Sequence, residues 1–139
     1  PKTKEGPDQK TLIEVMIRAR DFEAARGKLE KLLEQSPNYA DLHYQMARVL
    51  EGLGNWVQAQ KSLEKALSIN GKYAEARLEL GRLFMTLGKP EDAVKELQRV
   101  TEQHPEYADA RSLLTACLES AQTKAPSPGK KEREDKNDP

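Results

Sequence analysis

The sequence predicts an all-α solenoid of helix-turn-helix repeats, and three observations predict it. The chain repeats itself every 34 residues; apolar residues inside each repeat recur at helical spacing; and residues that end helices interrupt each repeat at fixed places. Six columns carry the period. Tyr39, Tyr73 and Tyr107 stand in register, each followed by an alanine, Ala40, Ala74 and Ala108. Ala25, Ala59 and Ala93 keep the same spacing, with Leu29, Leu63 and Leu97 one helical turn after each. Large apolar residues hold two further columns: Leu12, Met46, Leu80 and Leu114, then Met16, Leu50, Phe84 and Leu118.

The repeats run over about 6–39, 40–73 and 74–107. In the second, Leu42, Met46, Val49, Leu50 and Leu53 recur at steps of three and four, the stripe of a half-buried helix. Residues 52–55 break it, and Trp56, Ala59, Leu63, Ala66 and Leu67 begin another. The third repeat copies this with Ala76, Leu80, Leu83, Phe84 and Leu87, a break at Gly88, then Ala93, Leu97 and Val100. Gly54 and Gly88 suit left-handed caps, and Pro90 suits the opening turn of a helix, where its missing N–H costs nothing. In the first repeat Arg20 stands where the others have glycine. Pro37 and Pro105 close the first and third repeats, and Gly71 takes that place in the second. Each repeat is therefore a helix hairpin.

These residues resemble the tetratricopeptide repeat family over roughly 6–121. Its most specific carriers are the small residues Ala47 and Gly81 in first helices, and Ala59, Ala66 and Ala93 in second helices, where helix backbones approach closely. The first repeat departs most, with Ile13, Arg20 and Leu32 at places that are small or glycine elsewhere; Gln9, His43 and Arg77 replace an aromatic common early in the first helix. The resemblance implies a right-handed superhelix whose first helices line a concave groove. A pentatricopeptide RNA-binding array has a longer, basic unit and fits less well.

Residues 108–121 repeat a first helix and are expected to cap the array, with Leu114 and Leu118 covering the last apolar face. Residues 122–139 hold three prolines, many charges of both signs and Ala125 as the sole hydrophobic residue, the composition of a disordered tail; residues 1–5 read similarly. The chain begins with proline, not methionine, and reads as a piece of something longer.

Composition excludes several functions. Lys plus Arg and Asp plus Glu both number 23, so the chain lacks the basic excess of a nucleic-acid binder. Apolar runs are too short for membrane insertion. One cysteine, Cys117, gives neither an internal disulfide nor a multi-cysteine zinc site, and it reads as a small packing residue. His43 and His104 fall in different repeats without a catalytic motif around them. No enzyme activity, cofactor or metal is expected.

What remains is the face of each first helix opposite the core stripe. It reads Lys10, Glu14, Ile17 and Arg18 in the first repeat, then Asp41, Tyr44, Arg48 and Glu51. The third repeat offers Glu75, Leu78, Arg82 and Met85, and the last helix Ser112, Ala116 and Glu119. Tyr44, Leu78, Met85 and Ile17 are apolar residues off the stripe, and Arg48 with Arg82 forms a two-rung cationic ladder. A plain solvated face, its arginines paired to acids one turn away, is one reading. A recognition groove of aromatic, aliphatic and Arg anchors is the preferred one. The expected role is a protein-protein interaction module for a partner with hydrophobic and acidic features, an adaptor or scaffold. Self-association into a scaffold and service as an enzyme's substrate-selecting domain are the alternatives. Some family members clamp the terminal carboxylate of chaperone tails with Lys and Asn; here those places hold Lys10, Glu14, Gln45, Glu75 and Glu79, mostly acids that would repel it.

Overall fold

The computed structural model describes residues 8–124; the expectations for residues 1–5 and 125–139 lie outside them. Seven helices follow one another: α1 (Gln9–Arg18), α2 (Phe22–Gln35), α3 (Ala40–Gly52), α4 (Trp56–Ile69), α5 (Ala74–Thr86), α6 (Pro90–Gln103) and α7 (Ala108–Lys124). No strand occurs among the described residues, so the fold is all-α. The chain divides into two compact units, Pro1–Ala76 and Arg77–Pro139, with the boundary inside α5.

The turn inside each hairpin is made the same way three times. Asp21 N–H donates back to Met16 C=O at 2.9 Å, Asn55 to Leu50 at 2.8 Å, and Lys89 to Phe84 at 2.8 Å. That six-residue closure forces the residue before the donor into the left-handed region. Gly54 and Gly88 sit there at φ 80° and 75°, and Arg20 at φ 63°. Pro90 opens α6, as its fixed φ suits. Asp8 caps α1, its carboxylate accepting from Thr11 N–H at 2.8 Å.

In the first unit α3 packs against α1, α2 and α4. Its core is Ile13 and Ile17 on α1, Ala25 and Leu29 on α2, six apolar residues of α3 including Leu42 and Val49, and Ala59, Leu63 and Ala66 on α4. The small residues at 47, 59 and 66 are fully buried, as close helix approach requires. Ile17 corrects the sequence expectation: it is only 7% exposed, with Ile13, while Leu12 and Met16 are half-buried. The equivalents of those two, Met46 and Leu50, lie on a helix packed against α1, α2 and α4, whereas α1 packs on α2 and α3, and its buried line turns by one residue. Trp56 also leaves its expected stripe and is 40% exposed.

In the second unit Leu80, Leu83 and Phe84 of α5 and Ala93, Leu97 and Val100 of α6 are buried. A Cβ at Gly81 would stand 2.8 Å from Leu97 Cγ, so α5 and α6 approach at that glycine. Arg77 Nη1 pairs with Glu96 Oε1 at 2.8 Å, the arginine side chain 8% exposed. α7 packs on α6 and buries Ala110 and Cys117. Leu114 is half-buried, but Leu118 is 41% exposed and covers little. Every third and fourth position cannot all face one neighbour, and Cys117 takes the place expected of Leu118. Burial pushes the Cys117 thiol up from its ordinary value. α7 also continues through Lys124, three residues past the expected tail boundary.

Candidate functional site

Among the recesses of the first unit, two take most of the side chains expected on its first-helix face. One, of about 240 Å³, is lined by Lys10, Thr11 and Glu14 of α1, Asp41, Tyr44 and Gln45 of α3, and Tyr73. Residues three and four apart on facing helices meet there because each pair shares one helical face. Lys10 Nζ reaches Asp41 Oδ2 at 2.5 Å and lies over the Tyr39 ring at 5.3 Å. Arg48 Nη1 reaches Glu14 Oε2 at 2.8 Å and lies over Tyr44 at 5.9 Å. Two cross-helix ion pairs thus join α1 to α3.

Between them Gln45, 4% exposed, donates from Nε2 to Lys10 C=O at 3.1 Å, while its Oε1 is buried without a hydrogen-bond partner among the described residues. Tyr44 and Tyr73 pack with ring centroids 5.2 Å apart. The bond from Lys10 holds the Asp41 carboxyl below its ordinary value, and the Tyr73 hydroxyl adds to this. Burial, then the bond to Asp41, pushes the Tyr73 phenol far up. The same pairing raises Lys10. Ammonium, carboxylate and phenol therefore stay in their paired forms across the neutral range.

The second recess, of about 600 Å³ and open to solvent, lies at the turn end of these helices. Ile17, Arg20, Phe22, Arg48, Glu51 and Trp56 line it together with Gly52 and Gly54. The Arg20 guanidinium lies over the Phe22 ring at 5.3 Å.

Of the residues expected on the recognition face, Lys10, Glu14, Asp41 and Tyr44 border the first recess, and Ile17, Arg48 and Glu51 the second. Arg18 is exposed on α1 and lines neither. In the second unit Leu78 and Met85 are half-buried on α5, and Ser112 is exposed on α7. Arg82 Nη1 lies 3.4 Å from Glu79 Oε1, one turn away on the same helix. The cationic ladder is thus neutralised on both rungs, and Arg48 finds its acid on a different helix. Sequence reasoning missed Tyr73, read only as a register mark, and Trp56, read as core. It took Arg20 for a turn residue. Their one sequence signal was chemical type. Among the described residues no group of three His, Cys, Asp or Glu side chains could hold a metal ion, and no helix is long and apolar enough to cross a membrane.

A family profile described as "Tetratricopeptide repeat" matches residues 16–64 and 52–117. No curated protein sequence matches the chain. Solved structures similar to it include the first TPR domain of human RPAP3, at TM-score 0.80 and 22% identity, covering 86% of this chain and 94% of that one. The first TPR of Spaghetti (RPAP3), bound to the HSP90 peptide SRMEEVD, aligns at TM-score 0.77 and 21% identity over 81% and 90% of the two chains. The Yersinia enterocolitica type III secretion translocator chaperone SycD aligns at 0.73 and 14% identity over 84% and 82%. At these identities the likeness establishes the fold, an all-α repeat of the solenoid class.

Proposed function

Because this chain belongs to the tetratricopeptide repeat family, we propose that it is a non-catalytic protein-protein interaction module that binds a peptide segment of a partner along its first helices, in an adaptor or scaffold role. One observation carries the reading. Seven of the eight side chains read opposite the core stripe in the first two repeats line two open recesses of the first unit instead of dispersing over its surface. The partner segment carries an apolar anchor for Tyr44 and acidic residues for Arg48. That guanidinium keeps 30% of its side chain open beside Glu14 and can share a second carboxylate. Leu78, Arg82, Met85 and Ser112 offer the same kinds of contact in the second unit.

Calorimetric titration with synthetic peptides holding an apolar residue between acids tests this. Arg48→Gln with Arg82→Gln should abolish the heat of binding at unchanged helix content; Lys61→Glu with Lys95→Glu should not. Neutral replacement is preferred to charge reversal, which would set two carboxylates together at Glu14. Equal binding by both double variants would refute the groove.

A second reading, self-assembly, draws on Val15 and Leu118, exposed at 55% and 41%. It requires a molecular mass that rises with concentration and returns to the monomer value in Leu118→Glu.

A further inference from the structure

We propose that Gln45 is a specificity residue of the first recess, and that this recess takes a carboxamide side chain, Asn or Gln, from the partner segment. The inference rests on the peptide-binding reading above and names the group that enters beside Tyr44. Gln45 is 4% exposed, and its Oε1 is buried with no hydrogen-bond partner among the described residues. The other end of the amide settles its orientation. Nε2 stands 3.1 Å from Lys10 C=O and 3.5 Å from Glu14 Oε2, two acceptors that would repel an oxygen in its place. A buried acceptor left without a donor is costly, and native structures keep few of them.

Charge decides what kind of donor fits. Lys10 pairs with Asp41 and Arg48 with Glu14, so two cations meet two carboxylates and the recess asks for no net charge. A cation from the partner would meet Lys10 and Arg48, and a carboxylate would meet Asp41 and Glu14. A carboxamide is neutral and carries both donors and an acceptor. Its NH2 serves Gln45 Oε1. Its oxygen turns to Lys10, whose ammonium has three N–H groups and gives one to Asp41. Its flat face suits the Tyr44 and Tyr73 rings, which pack 5.2 Å apart in the lining of a recess of about 240 Å³. Gln45 is free to swing toward such a group. Lys10 C=O lies inside α1, where the helix supplies its own donor, so the bond from Nε2 is dispensable there. A main-chain amide offers the same atoms, but Gln45 lies at a depth that a side chain reaches more readily than a main chain crossing α1 and α3.

The test uses the full chain and three pools of short synthetic peptides. Each peptide holds Leu between two Glu, and a neighbouring position holds Gln, Glu or Met, side chains of similar length. Acetylated N-termini and dimethylamide C-termini leave the Gln side chain as the only primary carboxamide. By calorimetry the Gln pool should bind about tenfold or more tighter than the Met and Glu pools, a decade in affinity. Gln45→Met keeps the length and removes the acceptor, and should bind the Gln and Met pools equally at unchanged helix content. The three pools on the wild-type chain decide the matter alone should that variant fail to fold. Equal binding of the Gln and Met pools by the wild-type chain would leave Oε1 to water and refute the carboxamide, while the first-helix reading stands. A Gln preference kept by Gln45→Met would remove Gln45 from the recognition. Tightest binding of the Glu pool would overturn the neutral specificity proposed here. No heat from any pool would overturn both readings.

Discussion

Leu97 of α6 rests against Gly81 of α5 so closely that any side chain at 81 would meet it, a Cβ standing 2.8 Å from Leu97 Cγ. Leu97 is itself fully buried and has nowhere to move. Alanine favours a helix over glycine by about 1 kcal/mol, whereas overpacking costs roughly 1–3 kcal/mol. Gly81→Ala should therefore lower stability by about 1 kcal/mol despite its better helix propensity, read as a fall in the urea midpoint at constant slope. A rise would mean that α5 and α6 sit further apart.

Arg20 separates strain from side-chain contact. The left-handed conformation costs a non-glycine residue about 1–2 kcal/mol. Glycine gives back roughly 0.4–1 kcal/mol in unfolded-chain entropy, and the stack on Phe22 is worth about 0.5–1 kcal/mol. These nearly cancel, so Arg20→Gly should hold or slightly raise the melting temperature. Arg20→Ala keeps the strain and loses the stack, and should lie about 1 kcal/mol below the glycine variant. Thermal unfolding of both variants gives the order, and alanine above glycine would mean that the first turn is unstrained.

Two sides of a pH profile follow from the Lys10–Asp41–Tyr73 cluster. Asp41 is depressed in the folded chain below its ordinary 3.8, so its contribution is complete above that value and disappears as pH falls through the folded value. Lys10 is raised above 10.5 and Tyr73 above 10, so their contributions are complete below those values and disappear on the alkaline side. The ion pair is over a third exposed on each side chain, which limits it to under about 1 kcal/mol. Asp41→Asn should flatten the acid limb of stability against pH. In a phenolate absorbance titration, Tyr73→Phe should remove a late, strongly alkaline ionisation step.

The peptide SRMEEVD, bound by the Spaghetti domain, should bind this chain no more tightly than the same sequence with its terminal carboxylate amidated. Lys10, the one residue that could hold its terminal carboxylate, is already bonded to Asp41, and Glu14 stands one turn away. Calorimetry tests this, and Asp41→Asn with Glu14→Gln should begin to favour the free carboxylate over the amide.

The hairpins were legible because their causes are local. A 34-residue period, small residues at 47, 59, 81 and 93, and glycine at 54 and 88 each act within one hairpin, and each stands where the spacing predicts. The left-handed place of Arg20 was legible for the same reason. Partnership between helices was not. Nothing in the spacing says that Arg48 takes Glu14, 34 residues earlier, or that Asp41 receives both Lys10 and Tyr73. Such pairings depend on how far each side chain reaches across an interhelical gap. Burial at the margins was misjudged at Ile17, Trp56 and Leu118, where a helix has fewer packed neighbours and the apolar stripe alone does not say which side is covered.

One column bears on whether the repeats are interchangeable parts. At corresponding places stand His43, Arg77 and Arg111. His43 Nε2 bonds Pro37 C=O at 2.7 Å, and Arg111 Nη1 bonds Pro105 C=O, so each ties down the turn that precedes its helix. Arg77, which follows Gly71 where the others follow proline, also pairs with Glu96 on α6. At the place of Glu96 the second hairpin has Ser62 and the first has Lys28. A chain rebuilt from copies of hairpin 40–73 would have no such ion pair anywhere. The repeat is uniform in its apolar grammar and individual in its polar joints, so a hairpin can be transplanted only together with the turn that introduces it.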